Sequence, residues 1–213
     1  MDNISDLDYL NKASYISRDK KIIFICMPLW MFNTDNNFQN TLFSHLCSKL
    51  NLKCINLKNE VVSSVDSYFT ALDLIKNDEF RDYFKFTIIR NPWERLVSIY
   101  LNLRNYEVDN YLSKPAKFFD FKDWVIYTAN ISDILKTNTF YTHSNENKNL
   151  TNFIIRSEYF DADFKKFCDI KQISYKQINL NLLKNYRDYY DKDLIKYLNS
   201  FFKIDEINYG YKV

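Results

Sequence analysis

An apolar run ending in an arginine, with a helix start on the very next residue, is where this sequence is best equipped for chemistry. Residues 84–90 read as a buried strand that finishes at Arg90. Asn91 suits a helix N-cap, Pro92 suits the first helical position, and Glu94 stands three residues after the cap as in a capping box. A helix N-terminus offers unpaired N–H groups and the positive end of the helix dipole. With Arg90 beside it, the junction suits an anion. Ser98 falls two turns into the helix, off the apolar face of Leu96, Ile99, Tyr100 and Leu103, and can offer a hydroxyl to the same anion. On these residues alone, an arginine before a capped helix reads equally well as plain structure.

The rest of the composition narrows the choices. One glycine in 213 residues means that an anion site must use side chains, helix ends or non-glycine backbone. No G-x-x-x-x-G-K-[ST] run is present, which weakens a P-loop phosphotransferase reading. A net charge of +2 is too balanced for general nucleic-acid binding. Cys26, Cys47, Cys54 and Cys168 form no C-x-x-C pair, and with only His45 and His143 beside them no metal site is expected. Buried free thiols are the better reading. A hydrophobic fraction of 46% argues against disorder. Residues 1–17 are polar and acidic without an apolar signal region, and no window approaches a membrane span. As given, the chain reads as soluble and cytoplasmic.

The elements that must position the junction follow from periodicity. Strands are expected near 22–26, 53–57, 84–90 and 153–156. Phe38, Leu42, Leu46 and Leu50 stripe a helix, as do Phe160, Phe164 and Phe167, and Tyr190, Leu194, Leu198 and Phe201. Residues 65–76 and 121–129 read as helices, 105–120 as irregular and 142–151 as an exposed polar loop. Neither linker nor repeat breaks the chain, so residues 1–213 are expected to form one domain. Alternating strands and helices predict an α/β three-layer sandwich with a mostly parallel sheet. Ligands of such sheets bind beyond the strand C-termini, here after Cys26 and after Ile89.

The stretch from Arg90 to Tyr100, RNPWERLVSIY, resembles the 3′-phosphate-binding segment of sulfotransferases, closest to the Golgi carbohydrate group. The family pattern R-[ND]-P-x-x-R-L-V-S-x-[YF] is met at Arg90, Asn91, Pro92, Arg95, Leu96, Val97, Ser98 and Tyr100. Weaker likenesses follow in order: Arg156, Glu158, Asp163 and Phe164, then Tyr186, Tyr189 and Tyr190, then Asp205, Tyr209, Gly210 and Tyr211. The resemblance implies a P-loop-NTPase-like sulfotransferase fold and 3′-phosphoadenosine-5′-phosphosulfate (PAPS) as co-substrate. It implies that Arg90 and Ser98 hold the 3′-phosphate, and that a saccharide hydroxyl accepts the sulfuryl group. For Arg156 and Glu158 a structural ion pair is the preferred reading.

One loop departs from the family. There the first strand leads into P-K-x-x-x-[ST], whose lysine bridges the 5′-phosphate and the sulfuryl group. Here Pro28 is kept, Leu29 stands at the lysine position, and Asn33 then Thr34 stand where the hydroxyl belongs. Pro28, Asn33 and Thr34 are thus the residues expected near the 5′ side. The loss opens a second reading: a catalytically degenerate protein that binds a nucleotide or a protein partner. The general base is left open among His143, Glu60 and Asp66, with His143 and Glu60 carried forward and a surface histidine the commoner reading of His143. His45, next to Leu46, is expected to pack.

A cation on the bridging oxygen acts mainly in the transition state. Leu29→Lys is therefore expected to raise transfer by up to about a hundredfold, with affinity for the 3′-phosphate little changed. Turnover and nucleotide affinity of the two proteins, measured side by side, decide it.

Overall fold

The computed structural model describes residues 15–25, 36–54, 70–107, 109, 111–180 and 182–213. Five strands make one sheet: β1 (Tyr15–Ser17), β2 (Ile22–Ile25), β3 (Lys53–Cys54), β4 (Phe84–Ile89) and β5 (Phe153–Arg156), in the order β3-β1-β2-β4-β5. β2, β4 and β5 are parallel neighbours, with Ile22 opposite Phe84 and Ile89 opposite Arg156. β1 is antiparallel to both β2 and β3, so every strand but β1 points the same way. β1 lies in the N-terminal stretch read as polar and acidic, with no strand expected there. Three residues are too few to show a period, and pairing with β2 through a tight turn at Lys21 (φ 49°) is what makes them a strand.

The alternation along β2 builds two faces. Ile22 and Phe24 join Leu42, Leu46 and Leu50 of α1 (Asn36–Leu50) and Phe160, Phe164 and Phe167 of α7 (Phe160–Lys171). Ile23 and Ile25 face the other way, onto Ala71 and Leu74 of α2 (Ala71–Lys76). The sheet is buried on both sides, as parallel sheets require. This is the expected α/β sandwich with a mostly parallel sheet. His45 packs edge-on against Phe164 and shares a hydrogen bond with Ser174 O. Cys168 is buried, and burial pushes its thiol up to about 11.

A further core surrounds α3 (Pro92–Arg104). Trp93, Leu96, Val97 and Tyr100 pack against α5 (Phe121–Ala129) and α8 (Lys192–Tyr209). Every residue from Pro92 to Tyr100 is buried, so α3 is enclosed on all sides, not on one stripe as its spacing suggests. Two α-helices were not foreseen either: α4 (Ser113–Phe118) inside the stretch read as irregular, and α6 (Asn138–Thr142). On α8 the buried stripe is Leu194, Leu198, Phe202 and Asp205, while Phe201 is exposed. Expected structure at residues 26, 55–57 and 65–69 falls outside the described residues. Among the described residues no helix is long and apolar enough to cross a membrane.

Gly210 ends α8 in the left-handed region (φ 75°), its N–H donating to Glu206 O at 2.9 Å. The reversal carries Tyr211 back into the core. A Cβ at Gly210 would meet nothing within 4 Å, so Gly210→Ala pays only the backbone strain, about 1 kcal/mol. Denaturant titration is expected to show that loss, and a smaller one for Gly210→Asn.

Candidate functional site

The strand–helix junction forms as its residues predict, but its donors are taken. Asn91 Oδ1 accepts from Trp93 N–H (3.0 Å) as an N-cap should. Glu94 does not close a capping box. Its two carboxylate oxygens accept from Nε and Nη2 of Arg90, and Oε1 also accepts from Leu183 N–H at 2.7 Å. Arg90 and Glu94 are both buried, with side chains 1% and 5% exposed. An unpaired charge at that depth is prohibitively costly, and this outweighs a cap bond worth about 1 kcal/mol.

The Asn91 N–H, which a capping box would pair with Glu94, donates instead to Glu158 Oε1 at 2.6 Å. Tyr211 O–H donates to the other carboxylate oxygen at 3.0 Å. Glu158 is therefore an anion supplied by the chain itself at the N-terminus of α3. Burial pushes its carboxyl above the usual carboxylate range, against the pull of those two donors. The expected pairing of Arg156 with Glu158 is corrected. Arg156 makes a fork to Asp163, with Nε at 2.8 Å and Nη2 at 3.1 Å. Burial opposes ionisation of Asp163, but the Arg156 bonds prevail and hold its carboxyl below the usual range.

Two buried donors on α3 lack acceptors among the described residues. Ser98 is 0% exposed and its Oγ has no partner. Arg95 spends Nη2 on Lys136 O (2.6 Å) and leaves Nε without a partner. Burial lowers the Arg95 pKa, with Asp205 opposing. Residues three apart share a helix face, so these donors lie one turn from each other. Buried polar groups are normally satisfied. Two such orphans on one helix face suit the oxygens of an anion such as a phosphate.

Arg90's backbone is held from the far side. Asn138 Nδ2 donates to Arg90 O at 2.9 Å and to Asp205 Oδ2 at 2.7 Å. Asp205, 0% exposed, also accepts from the N–H groups of Asn138 and Thr139. From Asn138 the chain runs through α6 to His143. Thr142 Oγ1 lies 2.8 Å from Asn138 O, 2.7 Å from His143 Nδ1 and 2.5 Å from Tyr209 OH. One hydroxyl proton satisfies all three contacts if it goes to Asn138 O, while Nδ1–H and Tyr209 O–H donate to Thr142. His143 Nε2 is then the acceptor nitrogen, and burial lowers the ring's pKa, with Asp205 opposing.

Arg90 and Ser98 therefore share one helix and its entry, while no described contact joins His143 to either. Leu150 N–H donates to Thr142 O, and two residues on Asn152 N–H donates to Lys85 O near the start of β4. Pro28, Leu29, Asn33, Thr34, Glu60 and Asp66 are outside the described residues. A groove of about 410 Å³ on α5, lined by Phe119, Asp123, Ile126, Tyr127, Asn130 and Ile131, holds none of the nominated residues. Sequence reasoning missed Glu94 as Arg90's partner, and Asn138 and Asp205 as its backbone support. Of these, Glu94 stood in the quoted Arg90–Tyr100 stretch and Asp205 in a weaker likeness, while Asn138 stood in none.

A family model described as "Sulfotransferase family" matches residues 25–211. Neither a curated protein nor a solved structure matches the chain.

Glu158 generates a pH prediction. Its folded-state pKa is raised, so the folded state binds the proton more readily than the unfolded chain. This contribution is fully present below about pH 4.3, the ordinary glutamate value, and is lost as pH rises through the folded value. Denaturation of wild type and Glu158→Gln across that window is expected to show the wild type losing stability relative to the variant as pH rises. A constant difference would contradict the burial argument.

Proposed function

Because the chain belongs to the sulfotransferase family, we propose that it moves a sulfuryl group from PAPS to a hydroxyl of a saccharide. The observation that carries the nucleotide half is Ser98. Its hydroxyl is fully buried and has no partner among the described residues. It stands where the family places a 3′-phosphate ligand, in the helix that Arg90 introduces. The saccharide half is supported by the resemblance to the carbohydrate branch. In this reading the acceptor oxygen attacks sulfur in line, the bond from sulfur to the bridging oxygen breaks, and 3′-phosphoadenosine 5′-phosphate leaves with the charge. The acceptor's proton goes to a base, for which His143 Nε2 and Glu60 are the candidates. Pro28, Asn33 and Thr34 are assigned to the 5′ side.

Leu29 favours a second reading, a nucleotide-binding or partner-binding protein without transfer. Both readings keep the 3′-phosphate, so ligand binding tests what they share and turnover with PAPS separates them.

Ser98→Ala is the sharper probe of the nucleotide site. Arg90→Ala strands the buried Glu94 carboxylate, which costs about 3–5 kcal/mol whatever the ligand. Ser98→Ala removes a hydroxyl that bonds nothing among the described residues, so folding stability is expected to hold or rise. Affinity for 3′-phosphoadenosine 5′-phosphate is expected to fall by about 1.5–3 kcal/mol, while affinity for AMP stays. Calorimetry with the two nucleotides reads this directly. Equal affinity of the wild type for both would overturn the assignment.

A further inference from the structure

Asn138 and Asp205 are both 0% exposed and lie far from Arg90 in sequence. Asn138 meets both backbone groups of Arg90: Nδ2 donates to the carbonyl at 2.9 Å, and Oδ1 faces the N–H at 3.5 Å. The carbonyl bond is the firm one, since 3.5 Å lies beyond the usual range. The second amide hydrogen goes to Asp205 Oδ2 at 2.7 Å. Asp205 is itself fixed by three more donors: Asn138 N–H and Thr139 N–H at 2.8 Å each, and Thr139 O–H at 2.7 Å. Flipping the Asn138 amide would set its oxygen against both the Asp205 carboxylate and the Arg90 carbonyl. Only one orientation survives, and that one holds the Arg90 peptide.

We propose that Asp205 and Asn138 are positioning residues for 3′-phosphate recognition. α8 holds the carboxylate, the carboxylate orients the amide, and the amide locks the peptide from which Arg90's guanidinium departs. The inference rests on the reading that Arg90 and Ser98 serve the 3′-phosphate. A recognition geometry misplaced by about 1 Å can cost a hundredfold, so the effect of loosening this peptide falls on the phosphate it aims at. A cap that merely stabilised α6 would change stability and leave the ligand preference untouched.

The test is calorimetry on the full chain with 3′-phosphoadenosine 5′-phosphate and with AMP. Wild type, Asn138→Ala and Asn138→Ser are compared, each with its thermal midpoint. The preference for the 3′-phosphorylated nucleotide is expected to fall roughly ten- to a hundredfold in Asn138→Ala. It falls less in Asn138→Ser, which keeps one donor, and AMP affinity is unchanged in both. A preference that survives in the folded variants, however far the midpoint drops, overturns the positioning role and leaves the nucleotide reading standing. A wild type without the preference overturns the nucleotide reading and this inference together.

Discussion

The buried ion pair between Arg90 and Glu94 constrains everything around it. A guanidinium 1% exposed must be paired where it lies. Glu94, in the first turn of α3, is the carboxylate that pairs with it. The pair in turn needs the rest of Glu94's lone pairs satisfied, and Leu183 N–H comes in to do so. The segment after α7 is thereby tied over the first turn of α3. The C-terminus closes the same end: Asn91 Nδ2 donates to Lys212 O at 3.2 Å, and Tyr211 reaches Glu158. Enclosure of α3 on all sides follows from these polar ties as much as from its apolar residues.

The legible part of the fold was what periodicity can carry. β2 is a continuous apolar run and β4 and β5 are mostly apolar, α5 spans the residues its pattern predicts, and the α1 stripe at Leu42, Leu46 and Leu50 is buried. The illegible parts are short or non-local. β1 exists because β2 and β3 flank it. α6 has five residues and is capped at its N-terminus by Thr137 and by a carboxylate in α8. Phe201 fits the α8 period as well as Phe202 does, and only the packing against Trp93 selects the latter.

In the site, residue types were readable and partners were not. Arg90 at a strand end, Asn91 as cap and Pro92 as first helical residue stand where their chemistry puts them. Glu94 had two partners open to it, the N-cap N–H and the Arg90 guanidinium. Burial decided between them, because leaving the guanidinium bare costs far more than leaving the cap to a substitute. The substitute is Glu158, and its arrival there freed Arg156 for Asp163. Two expected pairings, the capping box at Glu94 and the ion pair of Arg156 with Glu158, thus gave way together.

The same depth bears on how an anion could be held. A phosphate brought to Arg90 meets the Glu94 carboxylate as a like-charged neighbour, so the guanidinium's attraction is partly offset before binding begins. In the proposed reading discrimination falls to donors that no carboxylate among the described residues has claimed. Arg95 Nε–H and Ser98 O–H are such donors, both buried and both on one face of α3. In a dry interior each is worth more than at the surface, and each costs stability while unmet. Among the described residues nothing repays that cost, and the proposed phosphate site would account for it. In the proposed reading Arg90 supplies the field, and the finer choice between a phosphate and a plain hydroxyl rests with the helix behind it.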